Sequence, residues 1–131
     1  MITREVDYAI RVVLALSRRG PDEIASTAAL ADEMEIPFRF LRRIVRKLVA
    51  AQIIASLRGH GGGVRLLVPA RRLSLLDVAE AIDPACLKLN TCLIDAANCR
   101  RSGFCTVHQQ MNRLQEILEK QLRAITFDKI V

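Results

Sequence analysis

Three cysteines in one polar segment, followed closely by a histidine, are the residues of this sequence best suited to binding a metal. They form the pattern Cys92-x6-Cys99-x5-Cys105-x2-His108. This spacing is neither the Cys-x2-Cys of zinc sites nor the motif of thiol–disulfide oxidoreductases. Thiolates are soft ligands that bind iron–sulfur clusters and zinc. The segment therefore predicts a metal centre of one of these two kinds, and the ligand types alone do not decide between them.

Features around the thiols favour metal ligation over ordinary packing. Cys105 stands where a long helix is predicted to begin, and a helix N-terminus favours the thiolate form that binds metals. Arg100 and Arg101 would offset the negative charge of several thiolates. A fourth cysteine, Cys86, lies outside the pattern, and we interpret it as a packing residue or a spare thiol. The segment also carries the polar residues Asn90, Thr91, Asp95, Asn98 and Ser102.

The same thiols leave two further hypotheses open. In a cluster-free redox sensor, Cys92, Cys99 or Cys105 would oxidise to a disulfide. A spacing of three residues also brings Cys105 and His108 to one face of a helix, as a catalytic Cys–His pair would require. The sequence shows no phosphate-cradling loop, paired acids or oxyanion-hole motif to accompany such a pair. We therefore expect a protein that is not an enzyme.

The positive charge of the chain is concentrated in one segment. The 131 residues carry a formal net charge of +6, and residues 36–76 contain no aspartate or glutamate. The basic residues of that segment are Arg39, Arg42, Arg43, Arg46, Lys47, Arg58, Arg65, Arg71 and Arg72. A basic segment free of acids predicts a surface that faces nucleic-acid phosphates.

The elements that carry this charge follow the order of a helix-turn-helix. Thr3 is the predicted N-cap of a first helix, and Ser26 is that of a second helix ending near Met34. The break at residues 35–37 precedes a third helix, which is predicted to run to about Ala51 with Pro37 in its first turn. Two short helices and a basic third helix are the pattern of a DNA-binding module.

The third helix has two faces of opposite character. Its apolar residues cluster on one side at the helical period, and its arginines cluster on the other. The apolar set is Leu41, Ile44, Val45 and Leu48, and the basic set is Arg39, Arg42, Arg43 and Arg46. Because arginine binds guanine edges and phosphates in the major groove, we predict a recognition helix. A binder without sequence preference is the alternative.

A glycine-rich hairpin follows the third helix. Residues 53–57 and 64–68 have the composition of two short strands, and the glycines between them permit a tight turn with positive φ. Arg58 and His60 in the turn, and Arg65 in the second strand, are predicted DNA contacts, although His60 is nearly as well explained as a structural loop residue. The helices and the hairpin together predict a winged helix-turn-helix.

Two more helices complete the predicted fold. Ser74 is expected to cap a fourth helix, with Asp77 in the capping-box position, and residues 83–84 end it. A long amphipathic helix begins at about Cys105. Its apolar residues have nearly the spacing of a coiled-coil seam: Val107, Met111, Leu114, Leu118, Leu122 and Ile125.

The sequence resembles the iron–sulfur-sensing regulators of the IscR/NsrR type, the Rrf-two family, over essentially its whole length. The residues that carry the resemblance are Thr3-x3-Asp7-Tyr8-Ala9, the basic helix at 36–48, the wing Arg58-Gly59-His60-Gly61-Gly62-Gly63 and the cysteine segment that ends in Cys105-Thr-Val-His108. The wing glycines and the three cysteines are its specific parts.

The resemblance implies a homodimer that binds a roughly palindromic DNA operator and holds an iron–sulfur cluster, [2Fe–2S] or [4Fe–4S], on Cys92, Cys99, Cys105 and one further ligand. Members of the IscR type use a histidine that corresponds to His108. Members of the NsrR type use an aspartate that corresponds to Asp7, supplied by the partner subunit. We favour His108, because it lies beside Cys105. The six residues between Cys92 and Cys99 exceed the commonest spacing by one.

The expected architecture is mainly α, with three parts. Residues 1–83 form the winged helix-turn-helix, whose first helix also packs in the dimer, residues 84–104 form the cluster-binding loop, and residues 105–131 form the dimerisation helix and tail. The expected function is transcription regulation, with operator affinity controlled by the cluster in response to nitric oxide, iron or cluster status, or redox stress. The alternative is a cluster-free thiol-sensing or zinc-containing repressor. Without an export signal or a membrane segment in the sequence, we expect a cytoplasmic protein.

Overall fold

The computed structural model describes residues 1–101 and 103–131, so Ser102 of the cysteine segment lies outside the described residues. Within this part of the chain, five α-helices and one two-stranded antiparallel sheet form a mainly helical fold, as predicted. The elements are α1 (Arg4–Ser17), α2 (Thr27–Met34), α3 (Phe38–Ala50), β1 (Ile54–Leu57), β2 (Gly63–Leu66), α4 (Leu75–Ile82) and α5 (Thr106–Ala124).

The predicted helix caps are confirmed. Thr3 Oγ1 accepts a hydrogen bond from the Val6 amide at 3.3 Å, and Ser26 Oγ accepts one from the Ala29 amide at 3.0 Å. Ser74 and Asp77 form a full capping box, because each side chain bonds the backbone amide of the other. These side chains satisfy amides that a helix leaves unpaired in its first turn, which fixes where α1, α2 and α4 begin.

The turn between α2 and α3 depends on the left-handed backbone of Glu35, at φ 54°. Its amide bonds carbonyls in the last turn of α2 and ends that helix. Pro37 then serves as the N-cap of α3, so the expectation that it lies inside the first turn is wrong by one position. Its carbonyl accepts from the Leu41 amide at 3.1 Å, so Pro37 still starts the helix.

The wing is joined to the helix-turn-helix by backbone hydrogen bonds. β1 and β2 pair from Ile54 opposite Leu66 to Leu57 opposite Gly63. Val64 also forms an isolated bridge with Ala25, the residue just before the α2 cap, with N–O distances of 2.8 and 2.9 Å. The outer edge of β2 is therefore bonded at Val64, near the turn of the hairpin, to the chain that leads into α2.

The hydrophobic core lies between α1, α3 and α4. The predicted inward face of α3 is buried, with Leu41, Ile44 and Leu48 fully inaccessible. The chain end joins the same core, because Phe127 is fully buried and its amide donates to the Leu73 carbonyl at 2.9 Å. The residues that follow α5 thus pack against α1 and against the chain just before α4.

Helix α5 has an apolar side that the rest of the chain leaves exposed. Val107, Leu114 and Ile117 are each about half exposed. The helix ends at Ala124, so Ile125, predicted as the last seam residue, is its C-cap instead. None of the described helices is both long and apolar enough to cross a lipid bilayer.

Candidate metal centre and nucleic-acid interface

One surface cavity of about 430 Å³ brings the four predicted metal ligands together. Cys92, Cys99, Cys105 and His108 all line it. The other lining residues are Asn90, Thr91, Ile94, Asp95, Asn98 and Val107. Cavity walls that combine three thiols and an imidazole have the donor set of an iron–sulfur or zinc site.

Short 3₁₀ turns and a helix start position the thiols. Cys92 lies in the turn Thr91–Leu93, which the Asn90 side chain caps by accepting from the Thr91 amide at 2.8 Å. Cys99 directly follows the turn Ala96–Asn98. Cys105 is the N-cap of α5, and its Sγ accepts from the His108 amide at 3.5 Å. The predicted place of Cys105 at a helix start is thus confirmed.

His108, which lines this cavity, has a ring nitrogen without a hydrogen-bond partner among the described residues. Its Nδ1 is buried, and within the described part of the chain it has no hydrogen-bond partner. Buried polar atoms in proteins nearly always have a partner, and those without one need an explanation. A metal bound in the cavity would supply the partner that this nitrogen lacks.

The spread of the four side chains differs from that of a mononuclear site. Among residues 1–101 and 103–131, no group of three or more Cys, His, Asp and Glu side chains is arranged to hold a single ion. A cluster distributes its protein ligands over several irons, whereas zinc gathers four around one atom. Three thiols and one imidazole have the donor types of either kind of centre.

The alternative ligand Asp7 lies away from the cavity of its own chain. It is on α1, its side chain is 48% exposed, and its Oδ2 lies 3.1 Å from Arg11 Nη2. Its carboxylate is thus accessible from outside the chain.

Cys86 belongs to the hydrophobic core, in agreement with its interpretation as a packing residue. It is 7% exposed and lies in the 3₁₀ turn Pro84–Leu87. Burial, assisted by the negative charge of Asp83, raises the pKa of the Cys86 thiol. A thiol that resists ionisation is a poor nucleophile and a poor metal ligand, so the structure separates Cys86 chemically from the other three.

A buried glutamine anchors the start of the cysteine segment to α5. Gln115 is 4% exposed; its Oε1 accepts from the Leu89 amide and its Nε2 donates to the Leu87 carbonyl, both at 3.0 Å. Glu119 extends this clamp by accepting from Gln115 at 2.9 Å and pairing with Lys88 at 3.1 Å. The chain that leads to Cys92 is thereby held against the helix that begins at Cys105.

The four arginines of α3 are exposed, as predicted, but they form two pairs with different surroundings. Arg42 and Arg46 face the wing across a cavity of about 380 Å³ that Arg58 also lines. The guanidinium groups of Arg39 and Arg43 lie 5.0 and 5.5 Å from the centroid of the Phe40 ring. Stacking on an aromatic ring orients a guanidinium group without neutralising it.

The wing residues are also divided between surfaces. Arg58 and His60 are exposed at the turn. Arg65 is half-buried and lines a different cleft, together with Arg71 and Asp128. The structure therefore brings Arg58 beside the recognition helix and places Arg65 apart from it.

Two residues of these sites escaped the sequence predictions. Gln115 lies four residues after Met111 and three before Leu118, and a polar residue on an apolar stripe was the available signal. Phe38, the first residue of α3, lines the cavity between that helix and the wing and is 49% exposed. Phe40, two positions later, packs on the core. The sequence offered no sign of which of these two phenylalanines would be exposed.

Comparisons with known proteins agree on a family and a fold. The chain is 22% identical to the transcriptional regulator NsrR of Oceanobacillus iheyensis, over 99% of this chain and 88% of the relative. The oxidised form of Staphylococcus aureus CymR superposes with a TM-score of 0.76 at 21% identity, covering 97% of this chain and 92% of that one. IscR of T. potens gives 0.77 at 16% identity, covering 99% and 85%. These structural neighbours establish the fold.

The family is established by a match over almost the entire sequence. Residues 2–131 match the model of the Rrf2 family, described as iron-dependent transcriptional regulators. The named relatives are regulators of transcription and not enzymes. This protein therefore belongs to the Rrf2 family and is a transcriptional regulator.

Proposed function

We propose that this regulator binds a DNA operator with an affinity controlled by an iron–sulfur cluster held on Cys92, Cys99, Cys105 and His108. The observation that carries the proposal is that these four side chains line one cavity. In addition, the buried Nδ1 of His108 has no hydrogen-bond partner among the described residues. Between the recognition helix and the wing, exposed Arg42, Arg46 and Arg58 supply the cationic surface that DNA phosphates require.

The chain contains a physical connection between the two surfaces. The cluster, when bound, supplies a redox-active group sensitive to oxidants and nitric oxide. The residues of the chain would transmit its presence to the recognition helix. Ligation by Cys92 and Cys99 would order the segment that begins at the Gln115 clamp. That segment follows α4, whose last carbonyl, that of Ile82, is bonded by Lys47 of the recognition helix at 3.3 Å.

We also propose that the functional unit is a homodimer formed through α5. All residues of α5 are described by the structure, and among them Gln115 alone is buried. The half-exposed Val107, Leu114 and Ile117 would be covered by the same helix of a second copy. Two recognition helices would then face two half-sites of a palindromic operator.

The test begins with protein purified without oxygen. A brown protein containing iron and acid-labile sulfide supports the cluster, and a colourless protein containing zinc contradicts it. Replacing Cys92, Cys99 or Cys105 with alanine should abolish the colour, whereas Cys86→Ala is the matched control that should keep it. Comparing the visible spectra of His108→Ala and Asp7→Ala identifies the fourth ligand.

The control of DNA binding needs a second measurement. Cluster-bound and cluster-free protein should differ in operator affinity by about 5- to 150-fold, the range of typical allosteric couplings, when both are titrated at the same salt concentration. Equal affinities would show that the cluster, even if present, does not control binding.

A cluster-free thiol sensor is the second candidate, favoured by the partial exposure of Cys92, Cys99 and Cys105 around one cavity. The fold it shares with the oxidised CymR structure is compatible with this mechanism. It predicts that mild oxidation of colourless protein forms an intramolecular disulfide, lowers the intact mass by two hydrogens and changes operator affinity. An operator affinity that stays unchanged after the disulfide has formed in metal-free protein would exclude this mechanism.

A further inference from the structure

The cavity between the recognition helix and the wing has an unusual combination of surfaces. Phe38, Val45 and Val49 provide apolar walls on one helix. The cationic residues are Arg42, Arg46 and Arg58, and the hydroxyl residues are Thr27 and Ser56. Among the described residues that line the cavity, none is acidic. This lining suits an anion that also carries an apolar group.

Phe38 is the apolar residue most available to such an occupant. It is the first residue of α3, and it is 49% exposed. Phe40 is a useful contrast, because its ring packs on the core, lies 6.3 Å from the Tyr8 ring and stacks with two guanidinium groups. The fold therefore uses Phe40 for packing and leaves the ring of Phe38 without a comparable structural task.

Duplex DNA satisfies both requirements of the cavity. The residues at the N-terminus of a recognition helix are those that meet base edges in the major groove. The apolar group on those edges is the 5-methyl group of thymine, and phenylalanine is one of the side chains that contact it. Phosphates on either side would meet Arg58 of the wing and the hydroxyl groups of Thr27 and Ser56.

We propose that Phe38 is a specificity-determining residue that contacts the 5-methyl group of one thymine in each operator half-site, beside the base or phosphate bound by Arg42. The inference rests on the proposed operator binding and adds to it a base type that the arginines alone do not recognise. It also explains why an exposed aromatic ring lies on the most basic face of the molecule.

The experiment starts by selecting the preferred duplex from a random pool with the full-length protein. Each thymine of the selected site is then replaced, one at a time, by deoxyuridine, which differs only in lacking the methyl group. At one position per half-site, the wild-type protein should lose about fourfold in affinity, the equivalent of one buried methyl group. The Phe38→Ala variant should bind thymine and deoxyuridine equally at that position, and Phe38→Leu should retain part of the preference.

A control variant shows whether the loss of any exposed apolar side chain would have the same effect as the loss of Phe38. Leu67→Ala removes a side chain of similar exposure (47%) that lines the other cleft, so it should preserve the preference for thymine. A wild-type protein indifferent to deoxyuridine everywhere, a selected site without a fixed thymine, or a preference that persists in Phe38→Ala would each overturn the inference. Selection without any consensus would instead contradict sequence-specific binding itself.

Discussion

The ammonium group of Lys47 on α3 donates a hydrogen bond to the backbone carbonyl of Ile82, the last residue of α4, at 3.3 Å. The same nitrogen lies 2.9 Å from Glu5 Oε1 on α1. Lys47 thus joins the recognition helix to the helix that leads into the cysteine segment. A carbonyl at a helix C-terminus is an acceptor that the helix itself leaves unpaired, and a cation there is favoured by the helix dipole.

Lys47→Met tests whether this contact couples the two surfaces. Methionine keeps an apolar stem of similar length but removes the charge, so we expect the ratio of operator affinities between cluster-bound and cluster-free protein to move toward one. Lys120→Met, on exposed α5, is the control that should leave the ratio unchanged. A normal ratio in Lys47→Met would mean that the coupling follows another route.

Gln115→Leu should disrupt the clamp on the cysteine segment. The substitution leaves the Leu89 amide and the Leu87 carbonyl without their partner, and an unsatisfied buried polar group costs about 1–3 kcal/mol. We expect a lower free energy of unfolding in urea and weaker retention of the cluster. Gln121→Leu, at an exposed position of the same helix, should change neither quantity. Unaltered stability in Gln115→Leu would show that the clamp contributes little.

Acidification should release the same clamp. The hydrogen bond from Gln115, followed by that from Lys88, lowers the pKa of Glu119 in the folded protein. The resulting stabilisation is fully present above the ordinary pKa of glutamate and is lost as pH falls through the lowered value. Urea unfolding from about pH 6 to pH 3 should therefore show a steeper loss in wild type than in Glu119→Gln. Exposed Glu116→Gln is the control, and identical slopes in all three proteins would contradict the prediction.

The four cysteines should differ in reactivity when the protein is free of metal. Burial holds the pKa of the Cys86 thiol above its usual range, whereas Cys92, Cys99 and Cys105 are partly exposed. Alkylation with iodoacetamide, followed by peptide mass analysis, should label those three first and Cys86 last. The raised pKa also stabilises the fold below the ordinary thiol pKa, and this contribution is lost as pH rises above it. Rapid labelling of Cys86 in folded protein would refute its assignment to the core.

Gly63→Ala should weaken the attachment of the wing to the chain that leads into α2. A Cβ atom at Gly63 would lie 2.2 Å from the Ala25 carbonyl oxygen, and the backbone there has φ +157°. The contacted oxygen belongs to the backbone and cannot rotate away as a side chain could. The clash would therefore force the bridge between Ala25 and Val64 apart, at a cost of about 1–3 kcal/mol. Gly20→Ala is the control, since its nearest neighbour would be 3.9 Å away. Equal unfolding midpoints in urea for the two variants would contradict this role of Gly63.

The sequence predicted best those features that depend on neighbours along the chain. Ser26 and Ser74 marked helix starts because a cap acts within three residues, and the inward face of α3 followed from one helical period. The 3₁₀ turns around Cys92 and Cys99 have no periodic signature, so the sequence indicated only an irregular segment there. The residues that meet across the fold were beyond such reasoning, because Lys47 meets Ile82, and Gln115 meets Leu89, only after the helices have packed.

The sequence predicted which residues belong to the candidate sites but not how those residues are arranged in space. Four candidate ligands within seventeen positions indicated a common centre, and all four line the same cavity. The division of the α3 arginines into two pairs depends on where Phe38 and Phe40 point, which is decided by the packing of α1 and the wing. Whether Arg65 lies beside Arg58 likewise depends on strand register, since Arg65 pairs with Ala55.

The bridge between Ala25 and Val64 limits how this protein can respond to a signal. Since the hairpin shares backbone hydrogen bonds with the residue that leads into α2, it has no hinge about which it could swing relative to the reading helix. The wing and the start of α2 should then move together. In the proposed homodimer, a change at the cysteine cavity would shift both elements at once, which would reset the phase of one half-site against the other along the double helix.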